Sequence, residues 1–143
     1  MEGEAKIRFI GVIETASEKS TTIRLFPEYC DGLHGLDTFS HVLVLYWFHL
    51  RDNEQHRSTI KVTPKKHQGA PEVGVFASRS PSRPNPIAFC VCKVLRIEKC
   101  KLFVDGMDAA EGSPIVDIKP YLPRADSRPR ARVPDWATRG PAT

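Results

Sequence analysis

Short apolar runs alternate with clusters of turn-forming residues along the chain, a pattern typical of a protein built mainly from β-strands. The apolar runs are rich in β-branched and aromatic side chains, and glycine, proline and acidic residues separate many of them. This pattern predicts strands over residues 7–13, 23–26, 39–48, 74–77, 87–98, 100–105 and 114–118. Residues 31–37 and 106–112 are predicted to be turns.

One predicted strand, residues 39–48, carries apolar side chains at both odd and even positions. Successive side chains of a strand point to opposite faces, so this strand is expected to be buried on both sides. Such burial occurs in a barrel core or at a subunit interface. The long strand over residues 87–98 is the second candidate for an interface.

The polar and basic segment over residues 51–68 predicts a loop with one helical turn and a short strand near residues 59–62. A solvated surface loop is one interpretation of this segment, and a patch that faces RNA is the other. The composition changes again after Pro123, where arginines alternate with prolines. This tail is predicted to lack regular structure by itself, with Trp136 as a possible anchor against the body or a partner subunit.

Closely spaced strands with little helical signal predict a mainly β fold, a small single-domain β-barrel with short helical turns. The predicted domain spans residues 1–126, and residues 127–143 form an Arg/Pro-rich tail that is not a separate domain. The chain has neither the glycine-rich dinucleotide fingerprint nor a Walker-type loop. We therefore expect a non-Rossmann protein.

Composition adds modest constraints to this picture. The chain has 143 residues, of which 41% are hydrophobic, enough for the core of one domain. Its formal net charge of +4 is compatible with an RNA or phosphate partner, and many soluble proteins without such partners carry a similar charge.

The compartment is predicted from the chain's first residues, its hydropathy and its cysteines. No secretory signal pattern opens the chain, and the longest apolar run, residues 42–48, is too short to span a membrane. The cysteine spacing suits neither a zinc knuckle nor a thioredoxin-like motif, so buried free thiols are expected. The chain is predicted to be cytoplasmic, without metal or membrane partners. The cysteines are Cys30, Cys90, Cys92 and Cys100.

Residues 78–86 form the most distinctive stretch, in which Arg79 and Arg83 lie among three prolines. Proline restricts its own φ and that of the preceding residue, so this loop is stiff and loses little entropy when a ligand orders it. Guanidinium groups suit phosphate or carboxylate. One arginine could bind such a group while the other caps carbonyls and holds the loop rigid.

A second stiff segment follows at residues 117–123. If it is extended, Asp117, Lys119 and Tyr121 share one face. A carboxylate, an amine and a phenol together could serve proton transfer and charge stabilisation. The alternative is a structural ion pair between Asp117 and Lys119, with Tyr121 packed beside it.

Three motifs carry a family resemblance. They read Gly-Leu-Asp-Thr-Phe-Ser-His at residues 35–41, Gly-Val-Phe-Ala-Ser-Arg-Ser-Pro-Ser-Arg-Pro-Asn-Pro-Ile at 74–87, and Asp-Ala-Ala-Glu-Gly-Ser-Pro-Ile-Val-Asp-Ile-Lys-Pro-Tyr at 108–121. The chain resembles the TsaA-like family of S-adenosylmethionine-dependent tRNA N6-threonylcarbamoyladenosine methyltransferases. The resemblance covers residue 7 to about residue 126. It implies a small β-barrel that dimerises and binds S-adenosylmethionine without a Rossmann fold.

The resemblance implies an S-adenosylmethionine-dependent tRNA methyltransferase that forms a homodimer. Methylation of N6 of a threonylcarbamoylated adenosine would need a base, because that nitrogen is amide-like. Asp117 is the simplest base, and Lys119 and Tyr121 would complete the catalytic set. The predicted cofactor-binding residues are Phe76, Arg79, Ser80, Arg83, Asn85, His41 and Asp108. The predicted RNA-binding residues are Arg57, Lys61, Lys65, Lys66 and Arg124.

The chain also departs from the family pattern near its start. Residues 14–17 read Glu-Thr-Ala-Ser where the family often has a Ser-Pro-Phe-type motif, and no Pro-Arg-Gln segment follows. Two alternatives therefore remain open. The chain could be a non-catalytic RNA- or nucleotide-binding β-barrel, or a methyltransferase with a different acceptor.

Overall fold

The structure, a computed structural model, describes residues 3–142. These residues form eight strands, two short α-helices and several 3₁₀ turns, and no helix among them is long and apolar enough to cross a membrane. The strands are β1 (Gly11–Ala16), β2 (Thr21–Leu25), β3 (His41–Trp47), β4 (Lys61–Val62), β5 (Val73–Gly74), β6 (Ile87–Glu98), β7 (Lys101–Val104) and β8 (Pro114–Pro120). The helices are α1 (Glu54–Arg57) and α2 (Pro123–Asp126).

The chain divides into two compact units. The first, here called the sheet unit, comprises Met1–His49 and Ile87–Leu122. The second, the loop unit, comprises Leu50–Pro86 and Pro123–Thr143. The prediction of one domain ending at residue 126 stays a prediction.

Six antiparallel strands build the sheet unit in the order β1-β2-β7-β6-β3-β8. The pairing closes on itself because β8 also pairs with β1, through Gly11 opposite Ile115 and Val12 opposite Pro114. Closure removes exposed strand edges, as a barrel does. The predicted mainly β fold with short helical turns and no Rossmann unit is confirmed.

The core lies inside this closed sheet, where alternate residues of each strand meet. Ile13, Ile23, Val42, Leu102 and Ile115 are fully or almost fully buried. Tyr46 joins them and donates its hydroxyl to the carbonyl oxygen of Asp108 at 2.9 Å. Burial raises the pKa of Tyr46 to about 12, because the core disfavours the phenolate.

Within this chain, residues 39–48 are buried on one face only, so burial of both faces in a barrel core is wrong, whereas burial of the outer face at a subunit interface stays a prediction. Val42, Val44 and Tyr46 of β3 point inward and are buried, whereas His41, Leu43 and Leu45 point outward and are half-buried. In the closed sheet, only the inner face of β3 meets other strands of the core.

The first strand is displaced from its predicted range of residues 7–13. Ile7 and Phe9 are exposed, and β1 begins at Gly11 and continues through the polar residues to Ala16. Glu14 stabilises this polar end, since its carboxylate meets Lys101 at 2.8 Å and Arg24 at 3.4 Å. The hydrogen bond from Lys101 lowers the pKa of Glu14.

Other predicted elements are partly corrected. β6 has the predicted bounds, whereas β5 ends at Gly74 and residues Val75–Ala77 form a 3₁₀ turn rather than a strand. That turn is closed by Ser78, whose backbone N–H and hydroxyl both donate to the carbonyl oxygen of Val75. Residues expected in a stiff loop from 117 onward belong to β8 as far as Pro120.

The loop and tail predictions have mixed outcomes. The predicted helical turn within residues 51–68 is α1, and the predicted short strand is β4. The chain from Pro123 onward is more regular than expected, because it contains α2 and a 3₁₀ turn at Asp135–Thr138.

The cysteines also have a mixed outcome. Cys90 and Cys92 are free thiols, but Cys30 and Cys100 form a disulfide, so the prediction of free thiols is wrong for that pair. The pair is 70 residues apart in sequence and meets only in the fold. The predicted cytoplasmic location therefore loses its support from these cysteines and stays a prediction.

Candidate functional site

In the loop unit, serines at every second position shape residues 78–82. The hydroxyl oxygen of Ser78 accepts from the backbone N–H of Ser80 at 3.3 Å, and that of Ser80 accepts from the N–H of Ser82 at 3.1 Å. Serine favours such local bonds, which compete with regular secondary structure. The Ser-x-Ser-x-Ser pattern therefore builds a bonded turn ladder between the prolines.

Arg83 closes this ladder from its far end. Its Nη1 donates to the carbonyl oxygens of Ser78 and Ser80, both at 3.1 Å. Of the two roles predicted for the loop arginines, Arg83 thus has the carbonyl-capping one. The loop is held by its own side chains.

Helix α1 ties the same loop down from outside. Arg57 donates from Nε to the carbonyl oxygen of Pro84 at 2.8 Å and from Nη2 to Oδ1 of Asn85 at 3.3 Å. Its Nη1 also pairs with Asp52 at 3.1 Å. His56 adds a hydrogen bond between Nδ1 and the hydroxyl of Ser82 at 2.7 Å. Arg57 was predicted to bind RNA, but its guanidinium donates hydrogen bonds to the loop.

Phe76 stands out beside this braced loop because 84% of its surface is exposed. Single exposed apolar side chains are common on protein surfaces, and an aromatic ring so exposed can stack on a ligand. Arg79 is also exposed, whereas Ser80 and Arg83 are half-buried. The loop therefore presents an aromatic ring and a guanidinium from a backbone with little freedom.

In the sheet unit, Asp117 and Lys119 lie two residues apart on β8 and share its outward face. Nζ of Lys119 lies 3.0 Å from Oδ2 of Asp117, with 62% and 45% of the two side chains exposed. Oδ1 of Asp117 accepts from the N–H of Ile118 at 2.9 Å. The predicted shared face is therefore present, and so is the ion pair of the alternative interpretation.

Tyr121 follows the end of β8 and meets a second predicted site residue. Its N–H donates to the carbonyl oxygen of His41 at 3.0 Å, and the two rings are edge-on with centroids 6.3 Å apart. Nδ1 of His41 is hydrogen-bonded to the hydroxyl of Ser40 at 2.7 Å. The fold thus brings together the family-like Ser-His pair and Tyr121, which are 80 residues apart.

The strand register defines what surrounds Asp117 and Lys119. Leu45 lies opposite Asp117 and Leu43 opposite Lys119, and the same two leucines lie opposite Phe89 and Val91 on β6. Residues directly opposite on neighbouring strands share a face. We call Leu43, Leu45, Phe89 and Val91 the outer apolar strip. It borders the candidate catalytic pair.

The predicted site residues fall on both units. The sheet unit carries His41, Asp108, Asp117, Lys119 and Tyr121. The backbone carbonyl oxygen of Asp108 accepts a hydrogen bond from the Tyr46 hydroxyl. The loop unit carries Phe76, Arg79, Ser80, Arg83 and Asn85 and the predicted RNA-binding residues Arg57, Lys61, Lys65, Lys66 and Arg124.

Sequence reasoning missed His56, whose partner Ser82 is 26 residues away. It also missed how Trp136 is held, since its ring lies 5.8 Å from that of His67. The tryptophan in a polar tail was the available signal, and the predicted anchoring role is consistent with this contact. Among residues 3–142, no group of three or more histidine, cysteine or acidic side chains could hold a metal ion.

Known proteins similar to this chain align with most of its length. A protein of Methanothermobacter thermautotrophicus, named a probable S-adenosyl-L-methionine-binding protein, is 38% identical over 137 residues, covering 87% of this chain and 95% of its own. The S-adenosyl-L-methionine-binding protein of Archaeoglobus fulgidus is 43% identical over 110 residues, covering 77% of this chain and 75% of its own.

Solved structures give the same picture for the fold. A crystal structure of TrmO from Pseudomonas aeruginosa matches with a TM-score of 0.69 and 28% identity, covering 91% of this chain and 62% of that one. The chain thus spans less than two thirds of that TrmO chain. The family described as the tRNA-methyltransferase O N-terminal domain matches residues 13–127, most of this chain. The chain therefore belongs to the tRNA-methyltransferase O N-terminal domain family.

Proposed function

We propose that this protein is an S-adenosylmethionine-dependent methyltransferase that acts on N6 of threonylcarbamoyladenosine in tRNA. Family membership and the names of the relatives support the reaction class and the cofactor. The single observation that carries the proposal is the braced loop over residues 78–86, with Phe76 exposed beside it. A rigid loop beside an exposed aromatic ring suits a ligand that stacks on the ring, because little entropy is lost on binding.

The residues of the loop fit the chemistry of S-adenosylmethionine. The ring of Phe76 can stack on an adenine, and the guanidinium of Arg79 can bind a carboxylate with two parallel hydrogen bonds. The Ser80 hydroxyl and the Asn85 amide can add polar contacts, while Arg83 keeps the loop in shape. His41 and Asp108 stay predicted cofactor contacts.

When bound, the cofactor supplies a methyl group already activated by a positively charged sulfur. The protein's own contribution is to orient the acceptor and take its proton. We assign proton acceptance to the Asp117 carboxylate. Nζ of Lys119 would stabilise negative charge on the carbamoyl oxygen, and the Tyr121 hydroxyl would orient the same group.

The exposure of the Asp117–Lys119 pair favours this role over a structural one. Solvent-exposed ion pairs contribute only about 0–1 kcal/mol to folding, because water and salt screen them. Both side chains are more than 40% exposed. Stability therefore gives little reason for this pair at the border of an apolar strip.

The acceptor tRNA would meet basic residues of the loop unit. Lys61, Lys65 and Arg124 are exposed, and their charged groups can contact phosphates without reading sequence. Lys66 is a further proposed contact. Arg57 would act indirectly, by bracing the loop.

We also propose that the protein is a homodimer that buries the outer apolar strip. Phe89 and Val91 are both about 45% exposed. Asp117 and Lys119 border the strip with opposite charges, so a second copy related by a two-fold axis meets balanced charge rather than repulsion.

Isothermal titration of S-adenosylmethionine, with S-adenosylhomocysteine for comparison, tests the cofactor site. Wild-type protein is expected to bind both, and Phe76→Ala to weaken binding at least about tenfold, the loss expected of a stacking contact. Leu50→Ala is the matched control, because it truncates another exposed apolar side chain of the loop unit. Equal binding by all three proteins would remove Phe76 from the site.

Methyl transfer to tRNA with and without the threonylcarbamoyl group tests the acceptor and the base. Only the modified tRNA is expected to be methylated, and Asp117→Asn to lower kcat by about 10²–10⁴-fold. Lys119→Ala is expected to lower it less. Glu98→Gln is the matched control, because Arg96 and Glu98 form a similarly exposed ion pair two residues apart on β6. Equal methylation of both tRNAs would favour a different acceptor. Absence of methyl transfer to either tRNA would favour a non-catalytic binding module.

A further inference from the structure

The arginine-rich segment near the C-terminus is the strongest feature that the proposed site leaves unused. From residue 124 to residue 139 it has five arginines against Asp126 and Asp135. Residues 128–143 lie beyond the part of the chain that the family matches. We call residues 127–134 the strap; they are all exposed. The five arginines are Arg124, Arg128, Arg130, Arg132 and Arg139.

The strap is followed by a contact that fixes its far end to the turn over residues 65–70. Trp136 lies with its ring 5.8 Å from that of His67. Nδ1 of His67 donates to the carbonyl oxygen of Arg139 at 2.6 Å, and Nη1 of Arg139 donates to the carbonyl oxygen of Gln68 at 3.1 Å. We call these contacts the clasp. A ring contact and two hydrogen bonds join segments some 70 residues apart.

Two glycines let the backbones of the clasp approach closely. Gly140 has a φ of +79°, and a Cβ there would overlap the carbonyl oxygen of Lys66. Gly69 has a φ of +78°, and a Cβ there would lie 2.7 Å from Nη1 of Arg139. Both positions need a left-handed backbone, which glycine supplies; the obstacle to a side chain is backbone at Gly140 and the end of the Arg139 side chain at Gly69. These two glycines thus allow the C-terminal segment to dock closely on the turn over residues 65–70.

Anchoring makes the arginines of the strap a preorganised surface. Helix α2 precedes the strap and the clasp follows it, while Pro129 and Pro134 restrict its backbone. A turn within it is closed by the N–H of Ala131, which donates to the carbonyl oxygen of Arg128. Within residues 3–142, neither Arg130 nor Arg132 has an ion-pair partner. Their charge is therefore available to a ligand.

We propose that the strap binds the phosphate backbone of tRNA, with the clasp holding it in the binding conformation. This inference rests on the proposed function, because it assigns a binding surface for the same substrate. Guanidinium groups suit phosphate oxygens, and ordering before binding lowers the entropy cost. A membrane surface fits less well, since Val133 is the only large apolar side chain of the strap.

Equilibrium binding to an unmodified tRNA transcript, measured over a series of salt concentrations, tests the strap. The triple variant Arg128→Ala, Arg130→Ala and Arg132→Ala is expected to bind at least tenfold more weakly. The magnitude of its slope of log K against log salt should fall by about two to three, at roughly 0.7–0.9 per lost phosphate contact. The matched control is the triple variant Lys6→Ala, Arg8→Ala and Lys19→Ala, which removes the same charge from exposed positions of the sheet unit.

Trp136→Ala tests the clasp without changing any charge. It is expected to weaken tRNA binding about three- to tenfold, whereas Trp136→Phe should restore most of the affinity by keeping a ring against His67. Titration of S-adenosylmethionine should be unchanged in both variants. Unchanged tRNA affinity in a folded Trp136→Ala protein would overturn the role of the clasp.

The outcomes separate this inference from the proposed function. If the wild-type protein binds the transcript but the strap variant matches the control in affinity and salt slope, the strap inference fails and the proposed function stands. If the strap effect is found but modified tRNA is not methylated, the proposed function fails and the strap stands. Absence of tRNA binding by the wild-type protein, or tighter binding to phosphatidylglycerol vesicles than to tRNA, overturns the strap inference.

Discussion

At the residue scale, Gly11 lies at a strand junction that has no room for a Cβ atom. The residue opens β1 and pairs with Leu25 of β2 and Ile115 of β8. A Cβ at Gly11 would overlap the carbonyl oxygen of Arg24 and lie 3.1 Å from Cα of Leu25. Both obstacles are backbone atoms of the paired strand, so they cannot move aside without breaking the ladder.

Gly11→Ala is therefore expected to lower the free energy of unfolding by about 1–3 kcal/mol, as overpacking does. Gly74→Ala is the control, because Gly74 also lies in a strand and its nearest contact would be an ordinary 3.8 Å. That variant should change stability by less than about 1 kcal/mol. Denaturant unfolding of the two variants measures the difference, and equal stabilities would contradict the steric explanation.

At the same scale, the sequence leaves undecided whether each arginine binds a ligand or holds a loop in shape. Arg79 and Arg83 both had the chemistry to bind a ligand or to cap the loop, and hydrogen bonds to Ser78 and Ser80 assign the capping to Arg83. Arg57 resembled an RNA contact, but its guanidinium braces Pro84 and Asn85. The partners of Arg57 lie 27 and 28 residues away, so no local pattern identifies them.

At the element scale, the disulfide connects two pieces that no strand ladder joins. Cys30 lies in the 3₁₀ helix Pro27–Leu33, and Cys100 lies in the turn between β6 and β7. The covalent link spans 70 residues of sequence. Cross-linking so long a segment restricts the unfolded chain strongly in the loop-entropy model.

Reduction of the disulfide is expected to lower the free energy of unfolding by about 4 kcal/mol, the loop-entropy value for this separation. Denaturant unfolding with and without dithiothreitol measures the effect. A Cys30→Ser, Cys100→Ser double variant should match the reduced wild-type protein and should not respond to dithiothreitol. If wild-type stability does not depend on dithiothreitol, the cross-link makes no contribution.

Elements were predicted with uneven success for physical reasons. β6 was predicted correctly because β-branched and other apolar residues recur through residues 87–98, which follow a proline and contain no glycine or proline. Val75–Ala77 looked equally strand-like, yet hydrogen bonds from Ser78 close it into a 3₁₀ turn. β1 extends into polar residues because Arg24 and Lys101 of other strands stabilise Glu14. A local serine turn overrides strand preference in the first case, and partners on other strands do so in the second.

At the scale of the whole molecule, the outer apolar strip is an apolar face of β3 and β6 that the chain leaves half-buried or exposed. Its members alternate with buried core residues along β3 and β6. An apolar face of this kind is typical of an interface, and the proposed occupant is a second copy of the chain.

Val91→Glu is expected to convert a dimer to a monomer. Each two-fold interface would bury the new carboxylate twice, so we expect the dissociation constant of the dimer to rise by about a hundredfold or more. Light scattering coupled to size-exclusion chromatography measures the mass. Ile60→Glu, an exposed apolar residue of the loop unit, is the control. A monomeric wild-type protein, or a Val91→Glu protein that stays dimeric, contradicts the proposed interface.

Local physics in the sequence was sufficient to determine the mainly β character, the long strand β6, the stiffness of residues 78–86 and the shared face of Asp117 and Lys119. Strand alternation, proline geometry and serine turns act over a few residues and need no distant partner. The family motifs lie in these same segments, so the family could be recognised from them.

Only the tertiary structure decided which distant groups meet. It closed β1 against β8, joined Cys30 to Cys100, placed Tyr121 against His41 and docked Trp136 on His67. Each of these contacts depends on chain closure over tens of residues, with an energy shared among many weak interactions. Local sequence patterns contain no such information, because the same residues would accept other partners of similar chemistry.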